Sequence, residues 1–160
     1  ESSIDALYLY SKQKKLKILP LLISFDNMTR QIFGKTYSDL EYRDRNFKAT
    51  PLYVPATDRL KSDMVLCLGL LHHLVLGIGM QLSEVFGILS KLVRKTLILE
   101  FIELQDKLIQ EEPSFFTHIG KYSSEKYNIE TVIEETKRYF NSYDIVDSHP
   151  KTRKFLICRK

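Results

Sequence analysis

Two adjacent histidines, His72 and His73, stand in the middle of the most apolar run of the chain, "SDMVLCLGLLHHLVLGIGMQL", Ser62 to Leu82. Imidazole is the side chain whose ordinary pKa lies nearest neutrality, so either ring suits proton transfer, ligand hydrogen bonding or metal ligation. Their spacing narrows these options. Neighbouring side chains diverge on both a helix and a strand, so the pair is poorly placed to share one ion. Metal-binding histidines usually stand two to four residues apart, and no Cys or His cluster elsewhere supplies further ligands. We therefore expect no metal site. Each imidazole also has a plain alternative role, as a core histidine satisfied where it sits. Glu100 and Glu103, at the end of the next apolar run, are carboxylates that could reach the same place, or solvated loop acids.

The run that carries the histidines must position them. A membrane span needs roughly 20 apolar residues without strong breaks, whereas two imidazoles and Gly69, Gly77 and Gly79 interrupt this one. "DMVLCLG" has the length and composition of a buried strand, and "LLHHL" then begins a loop or short helix beyond its carboxyl end. Ligands of open α/β sheets bind outside that edge. "GIG" at Gly77 to Gly79 lacks the third glycine of a dinucleotide fingerprint and follows a helical turn, so it is expected as a loop between helical segments.

The surrounding elements alternate. "SSIDALYLYSKQ" has helical spacing, with Ile4, Leu7 and Tyr8 on one face. "KILPLLISF", Lys17 to Phe25, is a strand-length apolar run, with Pro20 tolerable only near its start. Residues 26–61 have no clear period and are expected as a long loop with one helical turn. "LSEVFGILSKLVRK" reads as a helix capped by Ser83, with Val85, Phe86, Ile88, Leu89 and Leu92 buried and Arg94 and Lys95 at its C-terminus. "TLILEFI", Thr96 to Ile102, is a strand, and Glu103 to Tyr127 a polar loop. "NIETVIEETKRYF" is an amphipathic helix capped by Asn128. "YDIVDS", the turn "HPKTR" and "KFLICRK" form an antiparallel hairpin pattern. The fold expected is one α/β domain, 1–160, with a layered sheet and an antiparallel edge.

Composition fits this expectation. At 44% apolar and 28% charged the chain is an ordinary globular sequence. Its net charge of +4 falls in the first 62 residues, which hold 11 Lys+Arg against 7 Asp+Glu. No dense basic block marks a nucleic-acid surface, so nucleic acid is permitted and not indicated. Cys67 and Cys158 lie far apart in apolar strands, which suits free buried thiols in a reducing compartment. No signal peptide is expected, and the expected location is cytoplasmic. The opening at Glu1, within a helical pattern and without Met, suggests a piece of a longer protein.

"SDMVLCLGLLHHL" resembles the fourth strand and following loop of class I S-adenosylmethionine-dependent methyltransferases. "KILPLLISFDN" is similar to their third strand and its loop, "KTLILEFI" to the fifth, and the terminal hairpin to the antiparallel sixth and seventh. The wording is closest to a group of methyltransferases related to nodulation proteins, and the likeness covers nearly the whole chain. It implies a Rossmann-like sheet represented by its C-terminal two-thirds. The family's Gly-rich cofactor loop and the acidic residue of its second strand would precede or coincide with Glu1, supplied by the same or another chain.

Carried over residue by residue, the resemblance implies that Ser24, Phe25, Asp26 and Asn27 touch the adenine of S-adenosyl-L-methionine. Ser24 stands where the family often has Asp, so the hydrogen-bond partner there is open. Cys67, Leu68 and Gly69 would pass beneath the cofactor, with Leu71 packed on it. His72, His73 and Glu100 would face methyl transfer, one histidine taking the acceptor's proton. The implied acceptor is a small molecule or glycan-like compound. Two alternatives are an RNA methyltransferase, using Arg43, Arg45, Lys48, Arg59 and Lys61 among Tyr42, Phe47 and Tyr53, and a non-catalytic scaffold that has lost the cofactor loop.

Overall fold

A computed structural model describes residues 9, 10, 12–15, 56–118 and 126–160. The chain divides into two units, Glu1–Ala56 and Thr57–Lys160. In the first, residues 9, 10, 12 and 13 are helical, as the spacing predicts, and the helix closes where the Lys14 N–H donates to the Tyr10 carbonyl at 2.9 Å. The expected strand Lys17 to Phe25 lies outside the described residues. So do most of the long loop and the basic and aromatic residues between 42 and 53.

The second unit is α/β. One helical turn, α1 (Ala56–Arg59), leads into β1 (Ser62–Cys67). A π-helical turn, His73–Ile78, and α2 (Leu82–Leu92) follow. The chain returns through β2 (Val93–Ile102) to a short α3 (Lys107–Glu111), a 3-10 turn (Pro113–Phe115) and α4 (Ile129–Tyr139). It ends in the hairpin β3 (Ser142–Asp147) and β4 (Arg153–Arg159).

The four strands form one mixed sheet in the order β1-β2-β4-β3. β1 and β2 are parallel, with Cys67 opposite Leu99. β4 lies antiparallel between β2 and β3, with Leu99 opposite Leu156 and Ile145 opposite Leu156 across the hairpin. The antiparallel edge foreseen from the sequence is therefore present. Alternation explains the core: Leu97, Leu99 and Phe101 of β2 and Leu156 and Cys158 of β4 all turn to one face and are buried. Helices α2 and α4 pack together, with α2 against β1 and β2. They contribute Val85, Phe86, Leu89, Val132 and Thr136 to that core.

Some boundaries differ from the sequence expectation. The α2 cap is Gln81, two residues before Ser83, because Glu84 three residues on accepts the Gln81 N–H at 2.9 Å and closes the first turn. The helix stops at Leu92, since Val93 already pairs with Ser62, so Arg94 and Lys95 belong to β2. Cys67 is the one fully buried residue of β1, whereas Met64 and Leu66 on the opposite face are more than half exposed. The Glu103–Tyr127 segment holds α3 and the 3-10 turn, where the sequence suggested loop alone. Asn128 caps α4 as expected, accepting the Thr131 N–H at 2.8 Å. Both cysteines are free and buried. Among the described residues no helix is long and apolar enough to cross a membrane.

Candidate functional site

β1 ends at Cys67, and the chain emerges at the carboxyl rim of the parallel pair. There it turns at Gly69, whose φ of +60° favours a residue without a Cβ. The Gly69 N–H donates to Glu100 Oε2 at 2.8 Å, so a carboxylate near the end of β2 holds the turn leaving β1. Leu68 is half exposed and Leu70 more than a third, whereas Cys67 and Leu71 are sealed beneath. Burial raises the Cys67 thiol to about 12, which removes it as a thiolate nucleophile near neutral pH. Glu100→Ala is expected to lower stability by about 1–2 kcal/mol in urea denaturation, with Glu100→Gln losing less because it keeps an acceptor.

The two histidines have different surroundings. His72 is 2% exposed, and neither ring nitrogen has a hydrogen-bond partner among the described residues. His73 is exposed. Phe116 joins them: its ring centroid lies 5.5 Å from that of His72 and 5.4 Å from that of His73, while the imidazoles are 4.1 Å apart. Burial first, then the neighbouring His73 and Arg153, push His72 down to about 4, against the opposing pull of Asp106. At neutral pH it is an uncharged, dry ring. Of the two rings, that of His73 is the one open to solvent.

Two residues absent from the sequence reading complete this end of the sheet. Tyr127 is buried against Phe101, with ring centroids 5.2 Å apart, and its hydroxyl has no partner among the described residues. Burial, with Cys67 adding to it, raises the phenol above its ordinary range. Asp106 caps α3 and is discussed below. Tyr127 had one available signal: it precedes the Asn128 cap, where an apolar staple residue commonly sits. Phe116 had none, being one of two adjacent phenylalanines in an aperiodic loop.

A cavity of about 260 Å³ opens beyond β2 beside the start of α4, between Phe101, Glu103, Leu104, Tyr127, Asn128 and Glu130. Glu103 is thus a cavity-wall carboxylate, also accepting from the Gln105 side chain at 3.1 Å. Leu68, Gly69 and Glu100 meet at the β1 rim and His73 opens the π-helical turn that follows, whereas Ser24, Phe25, Asp26 and Asn27 lie outside the described residues. Among the described residues no group of three or more His, Cys, Asp or Glu could hold a metal ion. Comparison of the chain with protein-family models, curated proteins and solved structures finds no match.

Proposed function

We propose that this chain is part of a Rossmann-like, S-adenosylmethionine-dependent methyltransferase acting on a small-molecule or glycan-like acceptor. The strand series carries this reading. The sequence resemblance implies a parallel fourth and fifth strand followed by a sixth and seventh antiparallel to each other; β1 and β2 are parallel, and β3 and β4 form an antiparallel hairpin in which β4 pairs with β2. The rim supports it as well. Gly69 offers backbone without a side chain at the strand end where α/β sheets bind ligands. Exposed Leu68 and Leu70 flank it, and Glu100 holds its position. These residues fit one wall of a cofactor site, with Cys67 and Leu71 as sealed support. When bound, the cofactor supplies an electrophilic methyl on a sulfonium.

The chain's own tasks would then be orientation and proton removal. His73 is the better-suited base of the two histidines, because it is exposed and backed by Phe116. Calorimetric titration of S-adenosylmethionine into the full-length protein tests the proposal. Saturable binding in the micromolar range is the expected result. Absence of heat at millimolar ligand would abandon it in favour of the scaffold alternative.

A further inference from the structure

The turn leaving β1 departs from regular helix, running as a π-helix from His73 to Ile78. Such turns are short, and they recur at functional sites. A ring stack secures its entrance, since His72 lies against His73 and Phe116 with both nitrogens unpartnered among the described residues. An imidazole in that position is tolerable only while neutral. A buried polar group without a partner already destabilises, and an uncompensated buried charge destabilises far more.

The charged groups around His72 offer a proton there little relief. His73 stands alongside, and Arg153 of β4 opposes another positive charge. Asp106, ahead of α3, is the carboxylate that favours one. Both of its oxygens are already engaged, Oδ1 by the Leu108 N–H and Arg153, Oδ2 by Arg153 and Thr152.

We propose that the His72–His73–Phe116 stack is an acid-sensitive latch: a proton taken from solvent by His72 breaks the stack and frees the π-helical turn together with the Phe116–His118 strap. Turn and strap are bonded into one unit. The His118 N–H donates to the Leu76 carbonyl at 2.9 Å, its ring Nδ1 lies 3.0 Å from the Gly77 carbonyl, and the Thr117 hydroxyl donates to that carbonyl at 3.3 Å. Gly79, at φ +86°, fits beside the His118 ring only because it has no Cβ; one added there would sit 2.8 Å from a ring carbon. His72 is the sensitive element. Leu68–Leu70 immediately precede the turn, so its release reshapes the β1 rim whatever ligand that rim takes.

Amide hydrogen exchange on the full chain, from about pH 7 to about pH 5 and corrected for intrinsic rates, tests the latch. Opening restores His72 to an ordinary histidine, which strengthens opening tenfold per pH unit below the open-state pKa of about 6.5. Protection at Ile78, Gly79 and His118 is therefore expected to fall about 15-fold between roughly pH 6.5 and pH 5, and to stay well below that of Leu99 and Leu156, which exchange only on global unfolding. His72→Leu should abolish that dependence. Should the variant not fold, a carbon-13 titration of the wild-type His72 ring substitutes, with a midpoint well below the ordinary value expected. Protection of the turn equal to that of Leu99 and Leu156, no pH dependence, a dependence surviving in His72→Leu, or an ordinary His72 midpoint would each overturn the proposal.

Discussion

Asp106→Ala is expected to remove about 3–5 kcal/mol of stability, the cost of breaking a buried, hydrogen-bonded ion pair from one side. The carboxylate is fully buried. It joins three parts of the chain by accepting the Leu108 N–H at 3.0 Å as the α3 cap, the Thr152 hydroxyl at 2.6 Å, and Arg153 through Nε at 3.0 Å and NH2 at 3.2 Å. Truncation leaves a guanidinium that is about three-quarters covered without its partner. It also leaves a hydroxyl and a helix N-terminus unsatisfied. Asp106→Asn keeps an acceptor for the cap and loses the charge, so its loss should be smaller. Urea denaturation of the two variants separates capping from charge.

Acid dependence provides a second measure of the same pair. Hydrogen bonds from Arg153 first, and from Thr152 and Leu108, outweigh burial and lower Asp106 to about 2. Its folded pKa lies below the unfolded value of about 3.9. The contribution is thus complete above the ordinary carboxylate range and disappears as pH falls through about 2. His72 acts over a higher interval. Its folded pKa is also depressed, but the group is basic, so unfolded chains bind the extra proton and stability falls from about pH 6.5 down to about 4. A stability profile with two separate losses distinguishes the residues.

The regular elements were legible because each repeats a pattern over its own length. The stripe Val85, Phe86, Leu89 and Leu92 marks α2, and the apolar run ending at Cys67 marks β1 and its rim. What the sequence concealed is local structure too short to show a period. α3 has five residues and one buried side chain, Ile109, so Asp106 read as one more loop acid. The division of labour between His72 and His73 was concealed for another reason. It depends on Phe116, far downstream, and on Arg153, which is 47 residues from its own partner Asp106. Adjacent histidines look alike until the ring that covers one of them is known. The same holds for Glu100, a candidate reactive carboxylate by position, whose Oε2 is bonded to a glycine 31 residues away.

That division leads to the largest effect expected on activity. Under the methyltransferase proposal, His73→Ala should lower turnover about 10²–10⁴-fold, the usual range for losing a positioned general base. Affinity for S-adenosylmethionine should stay within about twofold, because proton removal serves the acceptor and is not required for cofactor binding. The ring is exposed and rests on Phe116, so its removal leaves the core closed. His72→Ala is expected to behave differently. It opens space under Phe116 beside sealed Leu71 and acts chiefly through stability, with turnover per folded molecule much less affected. Transfer of labelled methyl groups to glycan oligomers and to RNA, with calorimetry on the same samples, reads both quantities and separates the two acceptor classes. Equal loss of turnover and cofactor affinity in His73→Ala would make that histidine a structural support of the rim and leave the proton without a base among the residues gathered there.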